Sequence, residues 1–445
     1  MRFRSTAFGR DKVVELGLSD AGPPSAPEPV LAVVTGVDDR PFLSVAFDDQ
    51  PSAEGDALDG AVLAAFTERG YDEPTIARAA GDVNGFALWM LDRWWRLLYR
   101  RDAPLKLGAT FAAADGDQRF SVALRSMGGH IERIIRRSDG NSVPLADGAH
   151  SIALDGCERA LIDGLLRPAV SRMHARGRFD RPVEARLARL EDTYANPRDL
   201  QFARTAGALG SSAYDLDDAD AESVRTLVAM IPDEDARLDF ASAVLAEQVV
   251  EASAWVREET ASHGVRNRLD ALPALSRYLR PQLETWPKPH RRGTEMARLV
   301  RKHLGLAAEV AIGSAADLHA LFGDRGFEAS PGAPGELRAF QSRCGDTPTV
   351  VVGDEGPEST AFTLARAIGD CLAFASPTSC VANLYTERQA VGRAFAAEFI
   401  APRDGVVRMI EDDERTPSQV ARHYGTTTTV VRHQWENNRH LRTGA

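Results

Sequence analysis

The feature that most constrains the fold of this chain is a long stretch of helical periodicity in its middle third. From residue 157 to about residue 290, apolar side chains recur every three or four positions, as one face of a helix requires. The segments with this spacing are CERALIDGLLRPAVSRMHARG, RPVEARLARLEDTYA, PRDLQFARTAGALG and DEDARLDFASAVLAEQVVEASAWVREETAS. Asp233 or Asp235 is a suitable N-cap for the last of these helices. We therefore predict a helical module over residues 156–290.

The residues before this module have the pattern of a small α+β module over residues 30–155. Turn residues separate short apolar runs at VLAVVTG, FLSVAF, RFSVALRSM and SIALD, which predicts strands. Residues 57–101 have a helical pattern, and the aromatic spacing in FALWMLDRWWRLLYRR indicates a face that packs in a core. The Pro-rich sequence DAGPPSAPEP predicts a linker, so that residues 1–29 form an N-terminal arm and linker.

A second boundary is predicted at PQLETWPKPHRRG, residues 281–293, where three prolines interrupt the helical pattern. Two helices follow, GTEMARLVRKHLGL and SAADLHALFGDRG, with Ser314 as a suitable N-cap for the second. Then come three short β-like segments, FEASPG, LRAFQS and TPTVVVGD. The remaining segments are helical: PESTAFTLARAIGDCLAF, TERQAVGRAFAAEFIAP, RDGVVRMI and TPSQVARHYGTTTTVVRHQWENN. The whole chain is therefore predicted to be α+β and predominantly helical.

Composition and charge exclude several classes of protein. The 445-residue chain has a net charge of −11, which argues against a nucleic-acid coat protein or a polybasic membrane binder. Its 4 cysteines form no CxxC pair and its 10 histidines form no HxxxH pair, so no zinc ribbon, zinc finger or thioredoxin-type motif is present. The sequence has no apolar signal segment behind its basic start and no run of about 18 apolar residues. We therefore expect a cytoplasmic protein with no membrane partner.

Residues 293–440 resemble the ImmA/IrrE family of bacterial zinc metallo-endopeptidases, whose fold is related to the thermolysin-like zincins. The resemblance rests on FTLA at residues 362–365, on FAAEFIAP at residues 395–402, and on the tail SQVARHYGTTTTVVRHQWENN. In the family these correspond to FTLAHELGH, to a second helix like EANRFAAELLMP, and to a tail resembling a helix-turn-helix. The resemblance implies a zincin-like domain with a helix-turn-helix-like tail, in which the metal-binding motif is degenerate.

The four positions that bind metal and water in this family carry other residues here. In HExxH, two histidines at i and i+4 bind zinc from one face of a helix, and the glutamate is the general base. Here the histidine positions hold Arg366 and Asp370, the general-base position holds Ala367, and the third-ligand position holds Val391. A fixed cation at the first position would repel Zn²⁺, and Arg366 and Asp370 are spaced to form an ion pair along the helix. We expect no catalytic residues, no bound metal and no other cofactor.

The resemblance also implies a function. Relatives of this family cut helix-turn-helix repressors of mobile elements or stress genes, and a chain without the ligands would bind instead of cut. We therefore predict a non-catalytic regulatory or sensor protein, a pseudo-peptidase, in stress response or in mobile-element or phage-related control. Its partner would be a protein such as a transcriptional repressor, held in the former substrate cleft. The residues predicted to line that cleft are Arg366, Asp370, Arg393 and Glu398.

One alternative is a zinc endopeptidase with substitute ligands that cleaves a repressor. The nearest candidate ligands are Cys371, Cys380, Glu387, Glu398 and His423. Cys380 is predicted to lie on a loop, SPTSC, that could fold back over the pocket. A zinc site formed by Asp370, Cys371 and Cys380 follows no known ligand spacing, and the sequence favours buried or incidental thiols as the explanation of the two cysteines.

A second alternative is a DNA-binding transcriptional regulator that uses residues 416–438. Arg432, His433 and Arg439 are the residues that could contact phosphates there. The opposing interpretation is that this helical pair packs on the core of the peptidase-like domain. The sequence favours packing, since four consecutive threonines are poorly suited to reading bases.

Overall fold

The chain divides into two units, Met1–Leu216 and Asp217–Ala445, in a computed structural model. The structure describes residues 2–8, 11–17, 30–34, 41–47, 59–66, 69, 75–113, 118–145, 151–175, 177, 181–283, 286, 288–312, 314–374 and 376–443. Within these ranges helices predominate over antiparallel strands, which confirms the α+β class. None of the described helices is long and apolar enough to cross a bilayer.

The division between the units falls inside the segment that the sequence predicts to be one helical module, residues 156–290. The helices as far as Leu209 belong to the first unit, and those from Asp218 onwards belong to the second. A turn at residues 213–215 and the N-cap Asp217 separate the two sets. Helical periodicity identifies these helices but carries no information about the core on which each one packs.

The first unit contains a long antiparallel sheet. The described strands of the sheet are β1 Arg2–Phe8, β2 Asp11–Gly17, β3 Val30–Val34, β4 Pro41–Phe47, β5 Asp59–Phe66, β6 Thr75–Asp82, β7 Leu105–Lys106, β8 Phe111–Ala113, β9 Arg119–Ser126, β10 His130–Arg137 and β11 Ser151–Ala153. They pair in the order β1-β2-β3-β4-β5-β6-β8-β9-β10-β11, and β7 pairs with β9. The predicted pairing of VLAVVTG with FLSVAF is confirmed by β3 and β4.

Helices complete the first unit. They are α1 Val83–Tyr99, α2 Leu154–Leu161, a π-helical turn Ile162–Leu166, α3 Arg167–Ala175, α4 Arg181–Ala195 and α5 Pro197–Leu209. The Asp82 side chain caps α1 by accepting from the backbone N–H groups of Asn84 and Gly85. Met90, Trp94 and Leu98 on α1 are fully buried, so the prediction of a core-packing aromatic face is confirmed.

Two sequence predictions in the first unit are wrong. Residues 59–66 and 75–82 are the paired strands β5 and β6, not part of a helix that begins at residue 57. Residues 2–8 and 11–17 are the antiparallel strands β1 and β2, and β2 pairs with β3, so these two strands belong to the sheet and not to a separate arm. In β5 and β6 the paired residues include Ala61 with Ala80 and Ala64 with Ala77. Because alanine has a high intrinsic helix propensity, the cross-strand partner and not the local sequence determines this structure.

The second unit has eleven described α-helices and a three-stranded sheet. Its helices are α6 Asp218–Met230, α7 Glu234–Ala243, α8 Val249–His263, α9 Leu272–Leu283, α10 Pro289–His303, α11 Ala315–Ala320, α12 Pro357–Phe374, α13 Glu387–Ile400, α14 Arg403–Glu411, α15 Pro417–Tyr424 and α16 Thr428–Thr443. The strands are β12 Leu337–Cys344, β13 Thr347–Val352 and β14 Thr378–Ala382, and a 3₁₀ turn, Ala246–Gln248, precedes α8. The sheet order is β13-β12-β14, and both pairings are antiparallel.

The core of the second unit forms where α12 packs between the sheet and the helices α9, α10 and α13. Three glycines allow close approach. A Cβ at Gly293 on α10 would lie 2.3 Å from the Val391 carbonyl oxygen, and a Cβ at Gly369 on α12 would lie 2.7 Å from Phe395. A Cβ at Gly392 on α13 would lie 3.1 Å from the Arg366 carbonyl oxygen. The helices that carry the degenerate motif are therefore held in close contact.

Several local predictions for the second unit can be checked directly. The caps at Asp233 and Ser314 are confirmed, because each side chain accepts a backbone N–H three residues ahead. LRAFQS and TPTVVVGD are strands as predicted, but FEASPG is not, and its Ser330 makes only an isolated bridge with Gly353. The third strand of the sheet is β14, which follows α12 along the chain. The predicted long helix from Asp233 is also wrong, since a 3₁₀ turn separates α7 from α8.

Candidate functional site

The segment that resembles the metallopeptidase motif forms the middle of α12. Pro357 begins this helix, where the missing N–H is not needed for a helical hydrogen bond. Arg366, Ala367 and Asp370 are 5%, 1% and 3% exposed, and Val391 on α13 is 1% exposed. All four motif positions therefore lie in the interior of the second unit.

Arg366 binds backbone and amide oxygens. Its Nη2 donates to the Ala382 carbonyl oxygen at 2.6 Å and to Gln389 Oε1 at 2.9 Å. Burial, together with the charge of Arg393, lowers the pKa of Arg366 to about 9. The guanidinium is still protonated at neutral pH, so a cation stays at the first-ligand position of the motif.

Asp370 forms a two-point ion pair with Arg388 on α13. Arg388 Nε donates to Asp370 Oδ1 at 2.5 Å, and Arg388 Nη2 donates to Asp370 Oδ2 at 2.9 Å. Burial lowers the pKa of Arg388, but the charge and hydrogen bonds of Asp370 outweigh this effect and raise the pKa above its ordinary value. The predicted ion pair of Asp370 with Arg366 is therefore wrong, because α13 supplies a guanidinium with two-point geometry that an i,i+4 pair on one helix does not offer.

Helix α7 covers the end of this buried network. Asp239 on α7 is fully buried, and its Oδ2 accepts from Thr386 Oγ1 at 3.1 Å and from Gln389 Nε2 at 3.0 Å. Gln389 also accepts the Ala382 backbone N–H and donates to the Cys380 carbonyl oxygen, so one amide connects α7, β14 and Arg366. The network fills the space in which the sequence analysis places an open cleft. Arg366 and Asp370 are consequently not available to a partner in this conformation.

The two cysteines proposed as substitute ligands are buried thiols. Cys380 lies on strand β14, so the prediction that it lies on a loop is wrong, and its Sγ is 3.9 Å from the Ala236 carbonyl oxygen. Burial, together with the charge of Asp370, raises the pKa of the Cys371 thiol well above its ordinary value. A thiol must lose its proton to bind zinc, and this environment opposes that loss. Cys344, the remaining cysteine of this unit, has a side chain outside the described residues.

The other substitute ligands lie elsewhere in the unit. Glu398 accepts from Arg298 Nε at 2.8 Å and from Gln434 Nε2 at 3.0 Å, and it is 2% exposed. The His423 ring Nε2 lies 2.9 Å from the Glu309 carbonyl oxygen, and Glu387 is the first residue of α13. Throughout the described ranges, no three His, Cys, Asp or Glu side chains are grouped closely enough to hold a metal ion.

No family model, curated protein or solved structure matches this chain. The site must therefore be interpreted from its own chemistry. The motif positions hold one cation, one paired carboxylate and two apolar side chains, all buried. This arrangement supplies no nucleophile, no general base and no set of metal ligands.

A groove on the same unit brings together three other residues that the sequence analysis selects. Arg393, Glu398 and His433 all line a cavity of about 880 Å³ formed by α10, α13, α16 and the start of α14. Arg393 is half-buried and its Nη1 donates to the Leu384 carbonyl oxygen at 2.6 Å. Glu398 is a buried structural carboxylate at the base of this groove, whereas His433 is exposed. The groove is the candidate binding site of the second unit.

The helical tail packs on the second unit. Thr416 and Gln419 form a capping box at the start of α15, and Gly425 ends that helix in the left-handed conformation with φ of 62°. Val431 and Gln434 on α16 are buried, which supports the interpretation that the helical pair packs on the domain. Arg432 is exposed, and the side chain of Arg439 lies outside the described residues.

The partners that fill the site are not among the residues predicted from the sequence. Arg388 and Gln389 are adjacent on α13, and Asp239 lies about 150 residues earlier in the chain, on α7. One signal is present in the sequence: in TERQ, the N-cap Thr386 is followed by three long polar side chains, on a helix that is otherwise apolar where it meets α12. No local sequence pattern predicts the contribution of α7, because its contact with Gln389 depends on the tertiary fold.

Proposed function

We propose that this chain is a non-catalytic regulatory protein of the ImmA/IrrE type, whose second unit binds a protein partner instead of cleaving it. The observation that carries the proposal is the two-point pair of Asp370 with Arg388. Asp370 is the only motif position whose side chain could bind zinc, and both of its oxygens are already used. A catalytic zinc needs three protein ligands and an open position, which these residues do not provide.

Electrostatics oppose metal binding at the same place. A dication placed about 5 Å from the Arg366 guanidinium would be repelled by several kcal/mol, for an effective dielectric constant of about 20. Buried carboxylates could offset this repulsion, but Ala367 and Val391 stand at the positions where the family carries them. The proposed function is consequently binding, in the cytoplasm, with a transcriptional repressor of stress or phage-related genes as the proposed partner.

The proposal is tested by metal analysis of the full-length protein purified from zinc-supplemented cells. We expect far less than one zinc per chain by mass spectrometry, and a melting temperature that EDTA does not change. The matched variants are Asp370→Asn, at the motif, and Asp404→Asn, which is exposed on α14. One zinc per chain that is lost only in Asp370→Asn, together with cleavage of a protein substrate, would overturn the proposal in favour of a zinc endopeptidase.

A further inference from the structure

The groove formed by α10, α13, α16 and the start of α14 has an apolar floor. Ala390, Ala394 and Ala397 lie on it at spacings of four and three residues, which places them on one face of α13. All three are half-buried, and Trp286 adds a half-buried ring to the lining. Small side chains at helical spacing let the backbone of a second helix approach closely.

The rim of the groove is basic although the chain as a whole carries a net charge of −11. The cationic lining residues are Arg291, Arg393 and Arg403, with the titratable side chains of His290 and His433. Burial and the charges of Lys288 and Arg291 lower the pKa of His290, as expected where positive charge is concentrated.

The two acidic residues of the groove do not offset this positive charge. Arg298 binds both of them, with Nε 2.8 Å from Glu398 Oε1 and Nη1 3.1 Å from Glu295 Oε1. Arg403 has a buried Nε with no hydrogen-bond partner among the described residues, at the edge of the groove. In the described part of the groove, the lining therefore has more cationic side chains than carboxylates.

We infer that this groove binds an acidic amphipathic helix of a partner protein. The apolar face of that helix would pack on the three alanines, and its carboxylates would pair with Arg291 and Arg403. The inference rests on the proposed function, since it takes the second unit to bind a protein. The partner would then bind on the opposite face of α13, and not in the former cleft, which the buried polar network fills.

The experiment is fluorescence anisotropy with the full-length protein and a labelled peptide of roughly 18 residues, long enough to form a helix. The peptide carries Ala and Leu on one helical face and Glu on the other. We expect binding that weakens about tenfold in Arg291→Glu and in Arg403→Gln, and that also weakens with added salt. Arg280→Glu, which changes an exposed residue of α9 outside the groove, is the matched control and should bind as the wild type does.

Three further probes make the test decisive. A peptide with Lys in place of Glu, and a peptide with a central Pro, should each bind much more weakly if charge and helix formation matter. Equal binding of either peptide, or no effect of Arg291→Glu in a variant that melts like the wild type, would overturn the inference. Binding of duplex DNA that is lost in Arg291→Glu, without peptide binding, would also overturn it and assign the groove to phosphates.

The same samples separate this inference from the proposed function. Mass spectrometry of the recovered acidic peptide shows whether it stays intact. An intact but unbound peptide contradicts only the inference about the groove. A cleaved peptide contradicts the non-catalytic function, whether or not the groove variants change its affinity.

Discussion

Asp370 and Arg388 determine the chemistry of the motif region at the scale of single residues. Each is less than a tenth exposed, and their guanidinium and carboxylate groups make two hydrogen bonds. Burying two charges is costly, and the cost is offset only while both are present and well aligned. The stability of the second unit should therefore depend strongly on this pair, because loss of either partner leaves a buried charge.

We predict that Asp370→Ala lowers the free energy of unfolding by about 3–5 kcal/mol, since the buried Arg388 would lose both short hydrogen bonds and keep only the longer contact of its Nη1 with Asp233 Oδ1, at 3.7 Å. The double variant Asp370→Leu with Arg388→Met should recover most of that loss, because apolar side chains of similar size need no partner. Urea unfolding followed by circular dichroism measures both effects.

The matched control for this ion pair is Glu222→Ala on α6. Glu222 pairs with Arg225, and both side chains are more than half exposed. Its removal should change stability much less than Asp370→Ala, because solvent screens exposed pairs. If the two single substitutions had equal effects, the Asp370–Arg388 pair would not contribute as the structure indicates.

At the scale of secondary-structure elements, the contact between α10 and α13 depends on Gly293. We predict that Gly293→Ala destabilises the second unit by about 1–3 kcal/mol, because the added methyl group would overlap the Val391 carbonyl and Ala394. Thermal unfolding measures the change. The control is Gly326→Ala, an exposed position at which a Cβ meets nothing within 4 Å, and it should be neutral or slightly stabilising.

The elements predicted best from the sequence are those with strong local signals. Asp233 and Ser314 are capping residues with a short polar side chain before a periodic segment, and both helices begin where predicted. The strands β5 and β6 could not be predicted in this way, because their alanines favour a helix until a partner strand is present. Strand pairing is a long-range property, and a local pattern does not contain it.

The candidate site, like the fold, could be predicted from the sequence where the signal is local and not where it depends on distant residues. The motif comparison placed Arg366, Ala367, Asp370 and Val391 correctly on two helices of one unit that are in contact. It could not identify Arg388 as the partner of Asp370, because spacing on one helix suggests only i,i+4 pairs. It also could not show that α7 covers the site, since Asp239 is remote in sequence.

At the scale of the whole molecule, each unit has a core of its own. In the first unit, α5 crosses α1 at Gly207, where a Cβ would lie 2.4 Å from the Trp95 carbonyl oxygen. In the second unit, Gly293 has the corresponding role between α10 and α13, at 2.3 Å. The two glycines therefore provide matched positions at which the same substitution perturbs one core at a time.

We predict that calorimetry of the full-length chain shows two unfolding transitions, because chains with separate cores depart from two-state behaviour. Gly207→Ala should lower the midpoint of one transition, and Gly293→Ala should lower the midpoint of the other, each by several degrees for a loss of about 1–3 kcal/mol. Gly156→Ala, at which a Cβ meets nothing within 4 Å, serves as the control in the first unit. A single transition that both substitutions shift equally would contradict this prediction and mean that the two units unfold together. The effect of a mutation in one unit would then report the stability of the whole chain.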